Sequence, residues 1–465
     1  LLELPGVSRG INPQRLSAYL RFGLTDFGEE TLFAGVFQVP PAHFLELDLE
    51  SLVLEGPKPF WDPKIPPEDG EITFAQAKER LREIFLENIR LHLRSDVPWG
   101  ATLSGGIDSS SIVSAIRYLY PRQDLHVFSF IADDPRVSEE PWIKIVADKV
   151  HATVHRVRIR AEELKEDIDA LIRAQGEPFG STSIYAQYRV FRAAREVGIK
   201  VLLDGQGADE LLAGYPSFLS ARLASLLFEG KWLTALDLAL NGYRIRGMRP
   251  LLRLGQYLLP KGIQGIARKW VGEDLAPAWL SKDWFVEKGV KVDYDFVPHI
   301  AKRGPGLLRQ ELYQSLRYTS LPALLRYEDR NSMLHSIESR VPFLTPQMAQ
   351  FILGLPEEYI LPQSAMTKYV FREAMRDIVP DAILDRKDKM GFPTPEEAWL
   401  KGELAPWVGE VLKEIRDPQK APFLHYERIA AEWSAILEGR ARFDSRIWRW
   451  VNIVKWVEAF QVEVS

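Results

Sequence analysis

The chain has 465 residues, 46% hydrophobic and 26% charged, with 59 basic against 64 acidic side chains and a net charge of −5. That length fits three domains or fewer, and the charge balance argues against nucleic acid or an anionic membrane surface as the main partner. The absence of cysteine excludes disulfides, thiolate metal sites and cysteine nucleophiles, and no apolar run is long enough for a transmembrane helix.

The chain begins at Leu1 with no basic-then-apolar leader pattern, so it reads as a fragment or processed product, and as cytoplasmic. Residues 1–62 carry short alternating apolar runs, Thr31 to Val39 and His43 to Val53, broken by Pro40-Pro41. They predict two or three antiparallel strands without a sheet to join. Pro and Gly crowd residues 57–70, which places a linker at about 63–72. Thr73 then reads as an N-cap before an apolar face of Ala75, Leu81, Ile84, Phe85 and Ile89.

Next comes an alternation of strands and helices: strand Val97 to Leu103, helix 109–120, strand Leu125 to Ala132, helix 139–150 and strand Thr153 to Ile159. Helices at 161–175 and 183–197 and an apolar strand, Val201 to Leu203, complete it. Buried strands alternating with helices predict an α/β fold with a doubly wound parallel sheet over 73–215. From Leu211 onward no comparable strand is legible. Segments 217–240, 306–326, 346–354, 366–378 and 427–438 have helical spacing, so 216–465 reads as a helical part packed on the α/β core. His151 and His155 are four apart, but nothing around them resembles a metal-binding helix motif.

The strongest chemical signal is Leu103-Ser104-Gly105-Gly106-Ile107-Asp108-Ser109-Ser110, between a strand and a helix. Two glycines let the backbone approach a ligand, while amides, a helix N-terminus and three hydroxyls face it, an arrangement suited to pyrophosphate. Asp108 cannot bind phosphate directly, and its natural task there is to hold Mg²⁺. A second signal, Leu203-Asp204-Gly205-Gln206-Gly207-Ala208-Asp209-Glu210, ends the last strand. Ligands gather at the carboxyl ends of parallel strands, so Asp108 and Asp209 are expected to share one Mg²⁺. The plainer alternatives are a tight strand–helix turn for the first string and a dipole-favoured helix start for the second.

These two strings resemble the synthetase half of the asparagine synthetase family, ATP pyrophosphatases of the adenine nucleotide alpha hydrolase-like fold. Phe128-Ser129-Phe130 is similar to the adenine-side strand. Tyr327 to Met333, Glu338 to Leu344, Thr367-Lys368-Tyr369 and Arg386 to Phe392 resemble later motifs, and the likeness covers about 75–400. It implies ATP as co-substrate, Phe130 beside adenine, and Lys389 steadying phosphate and the later tetrahedral intermediate; otherwise Lys389 is part of a solvated charged run. It implies a carboxylate substrate such as aspartate, converted to its adenylate and then attacked by ammonia from glutamine. Residues 1–62 resemble the end of the family's glutaminase domain, whose cysteine nucleophile is not among these residues. That domain is an expected partner, and a homodimer is a further expectation.

Three positions depart from the family pattern. Gln206 replaces a glutamate expected at the acceptor, and glutamine cannot take a proton. Asp204 puts a carboxylate where a hydroxyl is usual, and Thr345 replaces an Asp. Together they call aspartate as substrate into question and keep open a ring-forming relative that uses an internal amine, or a nucleotide-binding scaffold without turnover. The Gly180-Ser181-Thr182-Ser183 loop reads equally as a substrate wall or a helix cap. Arg340 reads as a structural partner of Glu338 or Asp329.

Overall fold

Asn12 starts the first helix, α1 (Pro13–Phe22): its Oδ1 accepts from the Gln14 and Arg15 amides at 3.1 and 3.3 Å, and Gly23 ends the helix at φ +71°. The computed structural model describes residues 1–67, 70–134, 138–259, 277–290, 304–387 and 394–464. Helix α1 lies in a stretch for which only strands were expected. Its Leu16, Tyr19 and Leu20 are buried with the far C-terminal helix, and Tyr19 Oη lies 3.2 Å from both the Phe179 carbonyl oxygen and Asn452 Oδ1. The expected strand over Thr31 to Val39 is only a pair of bridges, Ile11 to Phe33 and Glu30 to Phe37. His43 to Val53 yields a shorter strand, β1 (His43–Leu47), paired antiparallel with β2 (Leu54–Pro59), whose end lies in the proline-rich stretch. The hairpin leaves Leu45, Leu47 and Leu54 exposed.

Thr73 caps helix α2 (Phe74–His92) reciprocally with Gln76. There follow β3 (Trp99–Thr102), α3 (Ile107–Leu119), β4 (His126–Phe130), α4 (Glu140–Val150), β5 (Thr153–Val157), α5 (Ala161–Gln175), α6 (Ser183–Glu196), β6 (Val201–Leu203) and α7 (Ala208–Leu211). The strands run parallel in the order β5-β4-β3-β6, and a fifth, β7 (Glu338–Arg340), joins beside β6. This fifth strand corrects the reading of the second half as purely helical. Glu338-Ser339-Arg340 has no apolar residue to announce it; pairing comes from the backbone, with the Glu338 amide donating to Lys200 O at 2.8 Å and the Asp204 amide to Arg340 O at 2.9 Å.

Side chains alternate across the sheet, and both faces are apolar. Ala101, Val127, Val201 and Leu203 pack with Leu81, Ile112, Ile116 and Val146 on one face. Phe128, Val157 and Leu202 pack with Ile168, Tyr185, Phe191 and Trp448 on the other. Each such burial is worth about 1.5–3 kcal/mol, which commits a strand as short as β6 to the sheet interior.

In the second half the 217–240 segment is two helices, Phe218–Phe228 and Trp232–Arg246, parted at Gly230 with φ +73°. Segment 306–326 divides into Leu307–Gln314, a π turn at Ser315–Thr319 and Leu321–Leu334, whose Pro322 cannot continue the preceding hydrogen-bond ladder. Segment 346–354 is a helix as expected, and 366–378 shortens to Tyr369–Ala374. Helix Arg446–Phe460 has no readable stripe because it is buried nearly all round, with Trp448, Trp450 and Trp456 fully enclosed.

Candidate active site

Strand β3 ends at Thr102 and α3 begins at Ile107, so Leu103-Ser104-Gly105-Gly106 must turn the chain. Hydroxyls close the turn: Ser109 Oγ accepts from the Ser104 amide at 3.1 Å, and Ser104 Oγ lies 3.1 Å from Ser109 Oγ. Gly105 sits at φ +74°, and a Cβ there would lie 2.6 Å from Trp142 Cβ, so both conformation and space require glycine. The loop after β6 presses against this turn, since a Cβ on Gly205 would lie 2.9 Å from Asp108 Cβ. The two strand tips therefore form one wall.

Lys368 joins them. Its Nζ lies 2.5 Å from Asp108 Oδ1 and 2.7 Å from Asp209 Oδ1, and its side chain is 1% exposed. The residue has left-handed backbone, φ +58° and ψ 31°, just before helix Tyr369–Ala374. Its amide donates to Leu212 O at 3.1 Å, and a Cβ on Gly214 would come within 2.7 Å of its Cε. Burial pushes the ammonium pKa down while Asp108 opposes that shift. Arg372 is lowered by burial to about 10, again with Asp108 opposing. Arg386 covers the turn: Nη1 donates to Gly105 O at 3.2 Å, lies 2.9 Å from Glu139 Oε1, and the guanidinium stands over the Trp142 ring.

Asp108 and Asp209 thus converge on a single cationic atom, the Lys368 ammonium nitrogen. Two carboxylates fit Mg²⁺, which takes its remaining oxygens from phosphates and water. Among the described residues no group of three or more His, Asp or Glu stands ready to hold a metal.

Asp204, at the end of β6, brings a further acid to these strand tips. Burial raises the Asp204 carboxyl to about 6, against the Thr102 hydroxyl and the Gly205 and Gln206 amides, with Asp108 adding to the rise. Behind it Glu328, on helix Leu321–Leu334, accepts from Ser339 Oγ and from the Gln206 side chain. Burial, reinforced by Asp204, holds Glu328 well above the usual carboxylate range. Glu210 Oε1 accepts from Tyr215 Oη at 2.6 Å and Ser320 Oγ at 2.8 Å. The resulting cavity, about 310 Å³, is lined by Lys368, Arg372 and Arg386 together with Asp108, Asp209, Glu139 and Asp204.

Of the residues expected from sequence, Leu103, Ser104, Gly106, Asp108, Ser109, Asp204, Gly205, Gln206 and Asp209 line this cavity. Gly105 lies behind the turn, and Ser110 is buried in α3. Phe128 and Phe130 both belong to the apolar cluster on one face of the sheet, and Phe128 also lines the cavity. Lys389 lies outside the described residues. Lys368, Arg372 and Glu328 were not singled out from the sequence. Lys368 and Glu328 stand in motif strings and Arg372 in the 366–378 helical segment, but only folding brings them to the site. Ser183, with Gln187, reaches the cavity from the expected substrate wall. Thr345 caps helix Pro346–Gly354, accepting from the Met348 amide at 3.3 Å, so that departure is structural. Arg340 pairs with Glu338 at 2.8 Å as expected, and holds the His92 and Arg94 carbonyls. His151 ends α4 while His155 lies in β5 against His126, so they do not form a helical pair.

The fold is a parallel α/β sheet with a cavity at the carboxyl tips of neighbouring strands, the place where open α/β sheets hold ligands. The Asparagine synthase family model matches residues 80–458, and the chain belongs to that family. It is 26% identical over 424 residues to asparagine synthetase [glutamine-hydrolyzing] 1 of Bacillus subtilis, covering 83% of this chain and 62% of that protein. A putative asparagine synthetase of Mycobacterium tuberculosis is 28% identical, over 82% of this chain and 58% of its own length. Amidase chry2 of Gibberella zeae is 24% identical, over 87% and 65%. The chain thus spans about six-tenths of the length of the curated relatives first matched. The solved NMN synthetase of Francisella tularensis aligns with TM-score 0.22 and 13% identity, over 59% of this chain and all of that one.

Proposed function

We propose that this chain is an amide-forming ligase that activates a carboxylate with ATP and couples it to an amine. In this reading the sheet is a doubly wound ATP-pyrophosphatase sheet, with triphosphate against the Ser104–Ser109 turn and adenine toward Phe128. A carboxylate oxygen attacks the α-phosphorus, the bond to the bridging oxygen breaks, and pyrophosphate leaves. The amine then attacks the acyl carbon, loses a proton, and AMP departs.

The observation that carries this reading is the ion-paired Lys368 between Asp108 and Asp209 at two adjoining strand tips. Lys368, Arg372 and Arg386 supply positive charge where pyrophosphate charge develops, so catalysis there is positioning plus electrostatics. Asp108 and Asp209 would hold Mg²⁺, which when bound offsets the charge of the leaving pyrophosphate. Lys389 joins them as a proposed phosphate contact. Asp204, with Gln206 and Glu328 behind it, borders the acceptor side and accepts the proton that the amine gives up.

The buried acid pair disfavours a reactant that brings a second carboxylate to it, as aspartate would, which keeps an internal amine as the second reading. Glutamine hydrolysis requires a nucleophile from elsewhere, since these 465 residues include no cysteine. The proposed setting is the cytoplasm, where ATP is supplied. ATP–pyrophosphate exchange, screened over candidate carboxylates with aspartate first, tests the proposal: one acid should drive exchange, and exchange with none contradicts adenylation.

A further inference from the structure

Two helices bring apolar side chains to the strand-tip cavity. From α6 come Ser183, Ile184, Gln187 and Val190, which lie within an arc of about 120° at about 100° per residue. From helix Leu321–Leu334 come Leu324 and Tyr327, neighbours on one side of that helix. Asn331 ties the two helices together, its Nδ2 donating to Ile184 O at 2.9 Å and to Gln187 Oε1 at 3.0 Å. Tyr327 Oη lies 3.4 Å from Thr25 Oγ1 and accepts from the Gly180 amide, so the ring is what this residue offers a ligand. Ile184, Val190, Leu324 and Tyr327 therefore supply an apolar wall.

A second anion finds no counter-charge on that wall. Among the described residues the cations lining the cavity are Lys368, Arg372 and Arg386. Lys368 is held by Asp108 and Asp209, and Arg386 by Gly105 O and Glu139. Arg372 lies in the field of Asp108 and donates from Nε to Thr367 O at 2.7 Å and from Nη1 to Leu384 O at 2.5 Å. Arg326, next to Tyr327, is committed to Asp26 at 2.7 Å and to the Gln175, Glu177 and Pro178 carbonyls.

The start of α6 would be the other natural seat for an anion, but its amides are taken. The Thr182 amide donates to Glu396 Oε2 at 2.8 Å and the Ser183 amide to Ser181 Oγ at 3.4 Å. The Ile184 and Tyr185 amides donate to Ser181 O and Thr182 O at 3.3 and 3.0 Å. An ionised carboxylate buried without a counter-charge is costly, whereas an apolar body gains from contact with such a wall.

We infer, on the strength of the adenylation proposed above, that the acid activated here is a monocarboxylate with an apolar or aromatic body. Its carboxylate turns to the glycine turn and its body packs on Ile184, Val190, Leu324 and Tyr327.

ATP–pyrophosphate exchange by the intact chain tests this, with benzoate, phenylacetate and hexanoate set against aspartate and glutamate at equal concentration. We expect the best monocarboxylate to drive exchange at least about tenfold faster than either dicarboxylate. Exchange driven best by aspartate or glutamate overturns the inference and leaves adenylation standing, whereas exchange with no acid of either group overturns adenylation itself. The variant Leu324→Ala should raise the KM for the favoured acid about tenfold while the KM for ATP stays within about twofold. An unchanged KM for the acid removes the apolar wall from substrate binding and overturns the inference as well.

Discussion

Lys368 Nζ meets Asp108 Oδ1 at 2.5 Å across 260 residues of chain, so the counter-charge of the glycine turn is delivered by the helical half. Removing the ammonium leaves two largely buried carboxylates facing one another. We expect Lys368→Met to lose about 3 kcal/mol of stability, the scale for breaking a buried ion pair from one side. Pyrophosphate release should fall by at least about a hundredfold. Denaturant unfolding and a pyrophosphate assay measure the two effects; a variant with parental stability would mean that the carboxylates do not depend on this lysine.

Gly205 is where the second strand tip touches the first. Its alanine variant must push Asp108 or the Ser109 amide away, because the added carbon would lie 2.9 Å from Asp108 Cβ. A cost of about 1–3 kcal/mol follows, as for other overpacked sites, with weaker nucleotide affinity. Thermal unfolding with and without ATP tests both; an alanine variant that binds ATP like the parent would separate the two loops functionally.

The Asp204 carboxyl stands at about 6, above its ordinary 3.8. The native state therefore holds this proton more tightly than the unfolded chain. Its contribution is fully present below pH 3.8 and is lost as pH rises toward 6, because the unfolded chain ionises first. Asp204→Asn should remove that downward slope and leave the variant more stable at pH 7 by ~1–3 kcal/mol. Unfolding free energies across pH 4–7 test the sign, and a variant that is less stable than the parent at pH 7 would reverse it.

Gln206→Glu would put a third carboxyl beside Asp204 and Glu328. Acceptor use should change by about tenfold or more while the KM for ATP stays within about twofold, since the side chain hydrogen-bonds Glu328. Steady-state kinetics with varied ATP and varied amine separate these effects. A defect confined to ATP would move Gln206 to the nucleotide side.

The parallel core was legible because β3, β4 and β6 are apolar runs between amphipathic helices, and their positions agree within a few residues. Strand β7 was not, since an edge strand of Glu, Ser and Arg has no hydrophobic period. Helix α1 escaped because its burial depends on helix Arg446–Phe460, where Asn452 meets Tyr19 across more than 400 residues of chain. At the site the local strings were readable: Ser104, Gly106, Asp108, Asp204 and Asp209 meet as their strand-end positions require. The residues that arrive from afar were not, because nothing within Thr367-Lys368-Tyr369 says that Lys368 will neutralise two strand-tip acids.

The late strand β7 also constrains synthesis. A ribosome that has delivered β3 through β6 must add some 130 further residues before Glu338–Arg340 can cover β6. Until then the nascent chain holds an apolar, open-edged strand, the kind of surface that recruits other chains. Separate production of the first 215 residues should accordingly give insoluble material, and a split into two co-expressed pieces should succeed only when the piece carrying 338–340 is present from the start.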